Sequence, residues 1–408
     1  MKYLPAAALL ALAPLLAVAQ EIDGNVNERY TVESVEVTGV DQTKLNREVR
    51  DSLHEFTGKK FSQAKLDELA DLIRHALPNR AISVKISRGD RPDTVKITFE
   101  VAQREQRFDL AAPKAIYSSR QGFSGEVDAT VRIRTNSFTV GAVSDGDSLV
   151  ERFTGMRARY ENRKVGSDRV RLAFEFDDFH TLWNGATREF IDGTPELYRA
   201  RQNFEPAVTV VAARPLKLTF GMSFQRLQSQ FPAAHTESSN AVISTLRYDR
   251  VLEESGPNKR RVEAGYSLRA ATRSLGSDYA YTRHTFEFHY ALWRGAHRLS
   301  ERVTSGVIDG TAPLFDRFVL GNSTTLRGWN KYDIAPAGAN RAVHNSLEYR
   351  YRAFEVFYDA GSVWNPGQAV VARHSTGAGL HLGDLALLIA FPLRSGRVEP
   401  VFIAGLNL

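Results

Sequence analysis

Leu216, Leu218, Phe220, Met222 and Phe224 alternate without a break with Lys217, Thr219, Gly221, Ser223 and Gln225. Successive side chains of a β-strand point to opposite faces, so this stretch makes one oily face and one polar face. The same two-residue period runs through Val170 to Asp177, Val262 to Leu268, Phe286 to Leu292 around Glu287 and His289, and Leu347, Tyr349 and Tyr351 around Glu348, Arg350 and Arg352. Alternation alone also fits a soluble sandwich. Number and length decide: about fourteen such windows follow residue 106, many of nine or more residues. Soluble strands average about 5–6 residues, whereas a tilted membrane strand needs about 9–11. Dividing residues 106–408 among roughly sixteen strands leaves about nineteen residues per strand and connection, the spacing of a medium bacterial barrel. The expected fold is a transmembrane antiparallel β-barrel, whose closure leaves no unpaired edge in lipid.

Upstream of this region the chain opens with Lys2, an apolar run from Leu9 to Leu16, and Ala17-Val18-Ala19. That is the pattern of a secretory signal over residues 1–19, and the run is too short for the roughly 20 residues of a spanning helix. No later apolar run approaches that length; Leu385 to Phe391 comes nearest and follows Asp384 directly. The chain has no cysteine, so a lipid-modified cysteine anchor and a disulfide framework are both excluded. The net charge of +6 comes from 53 basic and 47 acidic residues spread without blocks, a mixed surface with no nucleic-acid stripe.

Residues 22–104 have a different period. Val32, Val35 and Val37 form a short strand ending at Gly39, and Leu45, Val49, Leu53 and Phe56 recur at helical spacing. Ser62 is placed to cap a second helix whose Leu66, Leu69, Ala70, Ile73 and Leu77 share one face, with Pro78 stopping it. Ile82, Val84 and Ile86, then Val95, Ile97, Phe99 and Val101, alternate again on either side of turn chemistry at Gly89 to Asp93. The order β-α-α-β-β makes a small α+β module, two helices on one face of a three-stranded sheet.

Catalytic and metal signatures are absent from the sequence. The ten histidines form no His-Glu-x-x-His pair, no Gly-x-Ser-x-Gly elbow occurs, and no glycine-rich loop opens a helix after a strand. His284 and His289 on one strand are the candidates for a barrel-embedded hydrolase, read more simply as polar lumen residues. Neither an enzyme, a metal nor a cofactor is expected.

One long aperiodic connection, from about Asp309 to Arg341, carries Arg317-Phe318-Val319-Leu320-Gly321-Asn322 and Leu326-Arg327-Gly328-Trp329. A loop of this length is usually functional. It is followed in a strand by Phe357-Tyr358-Asp359-Ala360-Gly361-Ser362-Val363-Trp364. This pair of motifs resembles the BamA and TamA superfamily of outer-membrane assembly and translocation proteins, the bacterial surface antigen family. The N-terminal module likewise resembles a POTRA (polypeptide-transport-associated) domain, so the chain reads as a short member with a single one. The resemblance implies that the loop folds into the lumen, where Arg327 pairs with Asp359 and Glu348. A guanidinium offers five donors to two carboxylates, which makes burial tolerable. Gly328 and Gly361 complete the motifs, Trp329 is the tip aromatic, and Leu408 stands where the C-terminal barrel signal is usually aromatic.

The resemblance further implies an outer-membrane location with the N-terminal domain in the periplasm. Its function would be insertion or translocation of proteins, the module capturing extended or unfolded clients and the barrel receiving them. Its partners would be outer-membrane lipid, those clients and a periplasmic accessory protein, with no nucleic acid. The alternative is a passive channel or structural surface barrel on the same scaffold.

Overall fold

The computed structural model describes residues 29–40, 45, 47–77, 80–103, 108–191, 197–229, 233–396 and 398–406. The signal at residues 1–19, the helix-stopping Pro78 and the terminal Leu408 lie outside the described residues. Two compact units divide the chain, Met1–Glu105 and Gln106–Leu408.

In the first unit β1 (Thr31–Thr38) leads into α1 (Arg47–Phe56) and α2 (Gln63–Ala76), followed by β2 (Arg80–Arg88) and β3 (Thr94–Gln103). The sheet order is β1-β3-β2, with β1 parallel and β2 antiparallel to β3. Val49, Phe56, Leu66, Leu69 and Ile73 from the helices pack on Val32, Val37, Ile97 and Phe99 of the sheet, giving one dry core. Ser62 is the N-cap residue of α2, but its side chain makes no capping hydrogen bond, so the helix start is set by packing. Gly39 has a φ of +81°, and a Cβ there would come within 2.1 Å of the Val101 carbonyl oxygen, so only glycine fits the exit of β1. The free side of β1 is covered: Val32 N donates to Lys59 O at 2.9 Å, and Phe61 N to Tyr30 O at 2.9 Å.

The second unit is a closed antiparallel barrel. Its strands are β4 (Phe108–Ser118), β5 (Gly122–Ile133), β6 (Asn136–Asp145), β7 (Arg152–Asn162), β8 (Val170–Leu182), β9 (Tyr198–Ala213) and β10 (Leu216–Ser229). Next come β11 (His235–Ser238) and β12 (Ala241–Ser255), which pair in turn along β10 and share one place in the wall. The wall continues through β13 (Asn258–Ala271), β14 (Ala280–Arg294), β15 (His297–Thr311), β16 (Arg341–Tyr351), β17 (Phe354–Trp364), β18 (Arg373–Leu382), β19 (Leu385–Leu393) and β20 (Val401–Leu406). Counted by place the wall has sixteen strands, and β20 closes on β4.

The oily alternate residues face outward. Phe176, Phe204, Phe220, Phe224, Leu347 and Tyr349 are all exposed, as lipid-facing side chains are in an isolated chain. Ring contacts run along this surface from Phe138 through Tyr160, Phe174 and Phe204 to Phe224, at centroid spacings of 4.9, 6.1, 6.2 and 6.5 Å. Several aromatics at strand ends behave differently. Phe179 and Trp183 are buried, Trp293 lies against Arg298, and Trp329 packs on the loop's own cluster. Position at a strand end does not fix the face; parity along the strand does.

One barrel end is made of tight turns. At Arg134, Gly256, Gly295, Arg352 and Gly383 the first residue of a two-residue turn has positive φ, which matches the right-handed twist of the flanking strands. Longer connections occupy the other end, including α3 (Gly185–Phe190) and the loop from β15 to β16 that carries α4 (Lys331–Ile334).

Candidate functional site

The connection after β15 is built to be buried. Phe315, Phe318, Leu320, Leu326, Ala337 and Ala339 are all nearly inaccessible, and Leu326 adopts a φ of +47° to bring the next residue to the wall. That residue, Arg327, is 5% exposed. Its Nε and Nη2 donate to Asp359 Oδ2 and Oδ1 at 2.9 and 2.8 Å, a two-pronged pair, and its backbone N donates to Oδ2 at 3.0 Å. Nη1 lies 3.0 Å from Glu348 Oε1. Asp359 and Glu348 sit on neighbouring strands, β17 and β16, at inward positions, because both share the parity of buried residues on those strands.

Gly328 has a φ of +94°, and a Cβ there would sit 3.1 Å from the backbone of Phe391 and Pro392 on β19. Gly361 gives the same clearance to the loop: a Cβ would meet Leu320 Cδ1 at 3.1 Å. Trp329 Nε1 donates to His374 O at 2.8 Å. Arg327, Gly328, Trp329, Glu348, Asp359 and Gly361 are therefore brought to one region of the wall.

Several members of the cluster had no role assigned from sequence. Ser346 accepts from Arg327 Nη2 at 2.9 Å and donates to Asp359 Oδ1 at 2.7 Å. Glu355, 3.8 Å from Arg327 Nη1, is held by Arg350 at 2.9 Å and contacts His381 Nε2 at 2.8 Å. Phe357 places its ring centroid 3.6 Å from the Arg327 guanidinium carbon, and a Cβ at Gly377 would lie 2.2 Å from the far end of that ring. His344 Nε2 accepts from Leu326 N at 3.1 Å. Strand parity was the available signal, since Glu355, Phe357 and Asp359 are alternate residues.

A second attachment joins the loop to the connection between β6 and β7. Lys331, 1% exposed, donates from Nζ to Gly146 O at 2.6 Å and Leu149 O at 2.5 Å. Burial brings its ammonium pKa down to about 8, against the pull of Asp147, Asp145 and Glu151. Ser323 N donates to Asp147 Oδ1 at 2.8 Å, Tyr332 Oη to Val150 O at 3.1 Å, and Gln121 Nε2 to Gly321 O at 2.7 Å. Nothing in local sequence announces this attachment, because its partners lie far apart along the chain.

The two histidines weighed for hydrolysis face opposite sides. His284 pairs on the outer surface with Tyr266 Oη at 2.7 Å, whereas His289 faces the lumen, 3.0 Å from Ser300 Oγ and 3.8 Å from Glu263. The inner trio has the order of a relay. Ser300 nevertheless sits inside ladders on both sides of β15, so the neighbouring strand N–H groups are engaged and offer no oxyanion cradle.

A family model, the Omp85 superfamily domain, matches residues 91–393. The chain belongs to the Omp85 superfamily. A curated relative, the outer membrane protein assembly factor BamA of Nitratidesulfovibrio vulgaris, is 24% identical over 187 residues, 38% of this chain. That match spans 24% of the relative's length. Among solved structures, BamA from Haemophilus ducreyi lacking POTRA domains 1–3 superposes with a TM-score of 0.61 at 15% identity, covering 93% of this chain and 85% of that one. CdiB from Acinetobacter baumannii gives 0.54 at 12% identity, over 93% and 74%. At these identities the structural likeness shows the fold. The Omp85 barrel places the protein in the outer membrane, with its N-terminal domain periplasmic.

Proposed function

We propose that this Omp85 chain inserts proteins into, or passes them across, the outer membrane, using its N-terminal unit, over residues 22–104, as a POTRA domain that takes up extended clients. The observation that carries the reading is the seam. Among the described residues the ladder pairs Ile403–Ser118, Ala404–Tyr117, Gly405–Ile116 and Leu406–Ala115 join β20 to β4, with Ser119 N donating to Phe402 O at 2.9 Å just beyond them, whereas neighbours such as β14 and β15 pair along their full length. Below the seam, Phe108 to Lys114 of β4 have a partner on β5 alone among the described residues, and Pro113 adds a position that cannot donate a ladder bond. A strand with a free edge can accept another strand.

The N-terminal unit offers a matching edge. With β1 covered by residues 58–61, β2 is the side of the sheet left for strand addition, and Arg80, Lys85 and Arg88 make it basic. In this reading Arg327, Glu348 and Asp359 hold the loop in the lumen so that the rest of the wall stays closed while the seam yields. No covalent step is required of the protein. A periplasmic accessory protein is a further partner of the same edge.

Photo-crosslinking residues at Ser83 on β2 and Ala111 on β4 test the route. Nascent outer-membrane clients trapped at both positions are the expected result. Conductance through the purified barrel with no client at either position would favour a passive channel instead.

A further inference from the structure

We propose that the lumen wall formed by β10, β12, β13, β14 and β15 holds a binding site for a phosphate-bearing anion. Lys217 and Arg247 stand directly opposite one another on β10 and β12 and line one cavity of about 490 Å³. Like charges placed opposite on one face of an antiparallel pair destabilise it, so this pair calls for a counter-charge between them. The nearest acids offer part of it: Asp249 feels both cations, yet it is hydrogen-bonded to Arg261 at 2.7 Å, and the same guanidinium holds Glu263 at 2.8 Å. Arg302 reaches the cavity from β15, beside His289. Among the described residues the side chains of Lys217, Arg247 and Arg302 take part in no hydrogen bond or ion pair, and Glu287 is the carboxylate left to face them. Counted over the whole lining, Lys217, Arg247, Arg261 and Arg302 stand against Asp249, Glu263 and Glu287, which leaves the hollow with one net positive charge.

Shape supports the same conclusion. Gly265 lies next to Arg247 in the ladder, and a Cβ there would meet nothing closer than 3.9 Å, so the floor is open where a larger residue would fill it. A second hollow of about 440 Å³ shares Lys217 and Arg247 and adds Arg159 and Arg171, the latter with its Nε buried without a partner, against Glu161, Glu175 and Glu205. A monovalent ion would answer one cation of this row. A chain of phosphates, or a phosphate monoester, can bridge several, and guanidinium groups suit its oxygens in two-pronged contacts. The shared chemistry is the phosphate group, whether free or on a lipid headgroup. The site stands apart from client insertion and would hold even if the seam never opened.

Titration calorimetry on the full chain in detergent tests it, with inorganic tripolyphosphate in one arm and dihexanoyl phosphatidic acid in the other. The expected result is binding that weakens about tenfold in the Lys217→Gln, Arg247→Gln, Arg302→Gln triple variant, with Arg163→Gln in an exposed turn unchanged. Loss confined to tripolyphosphate marks a free phosphate chain, and loss in both arms a site that also takes headgroups. No binding by the wild type, equal binding by the triple variant, or an equal loss in Arg163→Gln would overturn the proposal. If the triple variant fails to fold, Lys217→Gln alone is expected to weaken binding about threefold, and wild-type affinity there would overturn it as well.

Discussion

Arg327 illustrates what one side chain can fix. Its partner Asp359 has no exposed surface, so Arg327→Ala would leave a buried carboxylate without its cation, a loss of about 3–5 kcal/mol for a broken buried pair. We expect Arg327→Ala and Asp359→Ala to lower the temperature at which the folded band converts to the unfolded band in a gel-shift assay; unchanged conversion in both would remove the lock from the account. Arg327→Lys should recover little, since a lysine cannot supply the two-pronged contact. Gly328→Ala tests clearance instead of charge. With a φ of +94° and β19 backbone at 3.1 Å, an added methyl must strain the loop or push it off the wall. In the N-terminal unit, Glu33 accepts from Thr94 Oγ1 at 2.6 Å and from Asp90 N at 2.8 Å. The Thr94 hydroxyl, first among these donors, holds its carboxyl below the ordinary 4.5. The turn's support is therefore present above pH 4.5 and is lost as pH falls through the lowered value. Protection of the Asp90 amide, its exchange rate compared with the intrinsic rate at the same pH, should fall only at pH below the usual glutamate range; loss of protection nearer neutrality would contradict this assignment.

At the scale of elements, the loop is held at two separate places, and the sequence spoke clearly about one of them. Arg327 and Asp359 lie in compact motifs, so their association could be named from residues alone. Glu355 and Phe357 were within reach, because they share Asp359's parity on β17 and therefore its face. Lys331 was not. Its acceptors at Gly146 and Leu149 sit on a connection between other strands, and no period or spacing links positions so distant. The same limit applies to Trp183 at the end of β8, which turns inward and gives Nε1 to Tyr198 O at 2.7 Å. Removing the second attachment should have a graded effect. Lys331→Met keeps the bulk and deletes the donor, and we expect the loop to gain protease sensitivity while the Arg327 cluster keeps the barrel's heat resistance. A loss of heat resistance as large as in Arg327→Ala would mean the two attachments are one.

For the whole molecule, the two-residue period of the C-terminal unit was enough to show about fourteen strand windows and the face each residue takes, because an inward or outward position follows directly from parity. The end strands were less legible. Closure depends on β20 meeting β4, which no local pattern encodes, and among the described residues that ladder has four pairs, as few as β10 makes with β11. In the proposed function this short seam must part for the protein to work. Since the chain has no native cysteine, Tyr117→Cys with Ala404→Cys, a directly opposed pair, gives a single clean disulfide across it. Client insertion into liposomes containing this variant should stop when the bond is formed and return on reduction. Full insertion with the seam covalently closed would contradict the account.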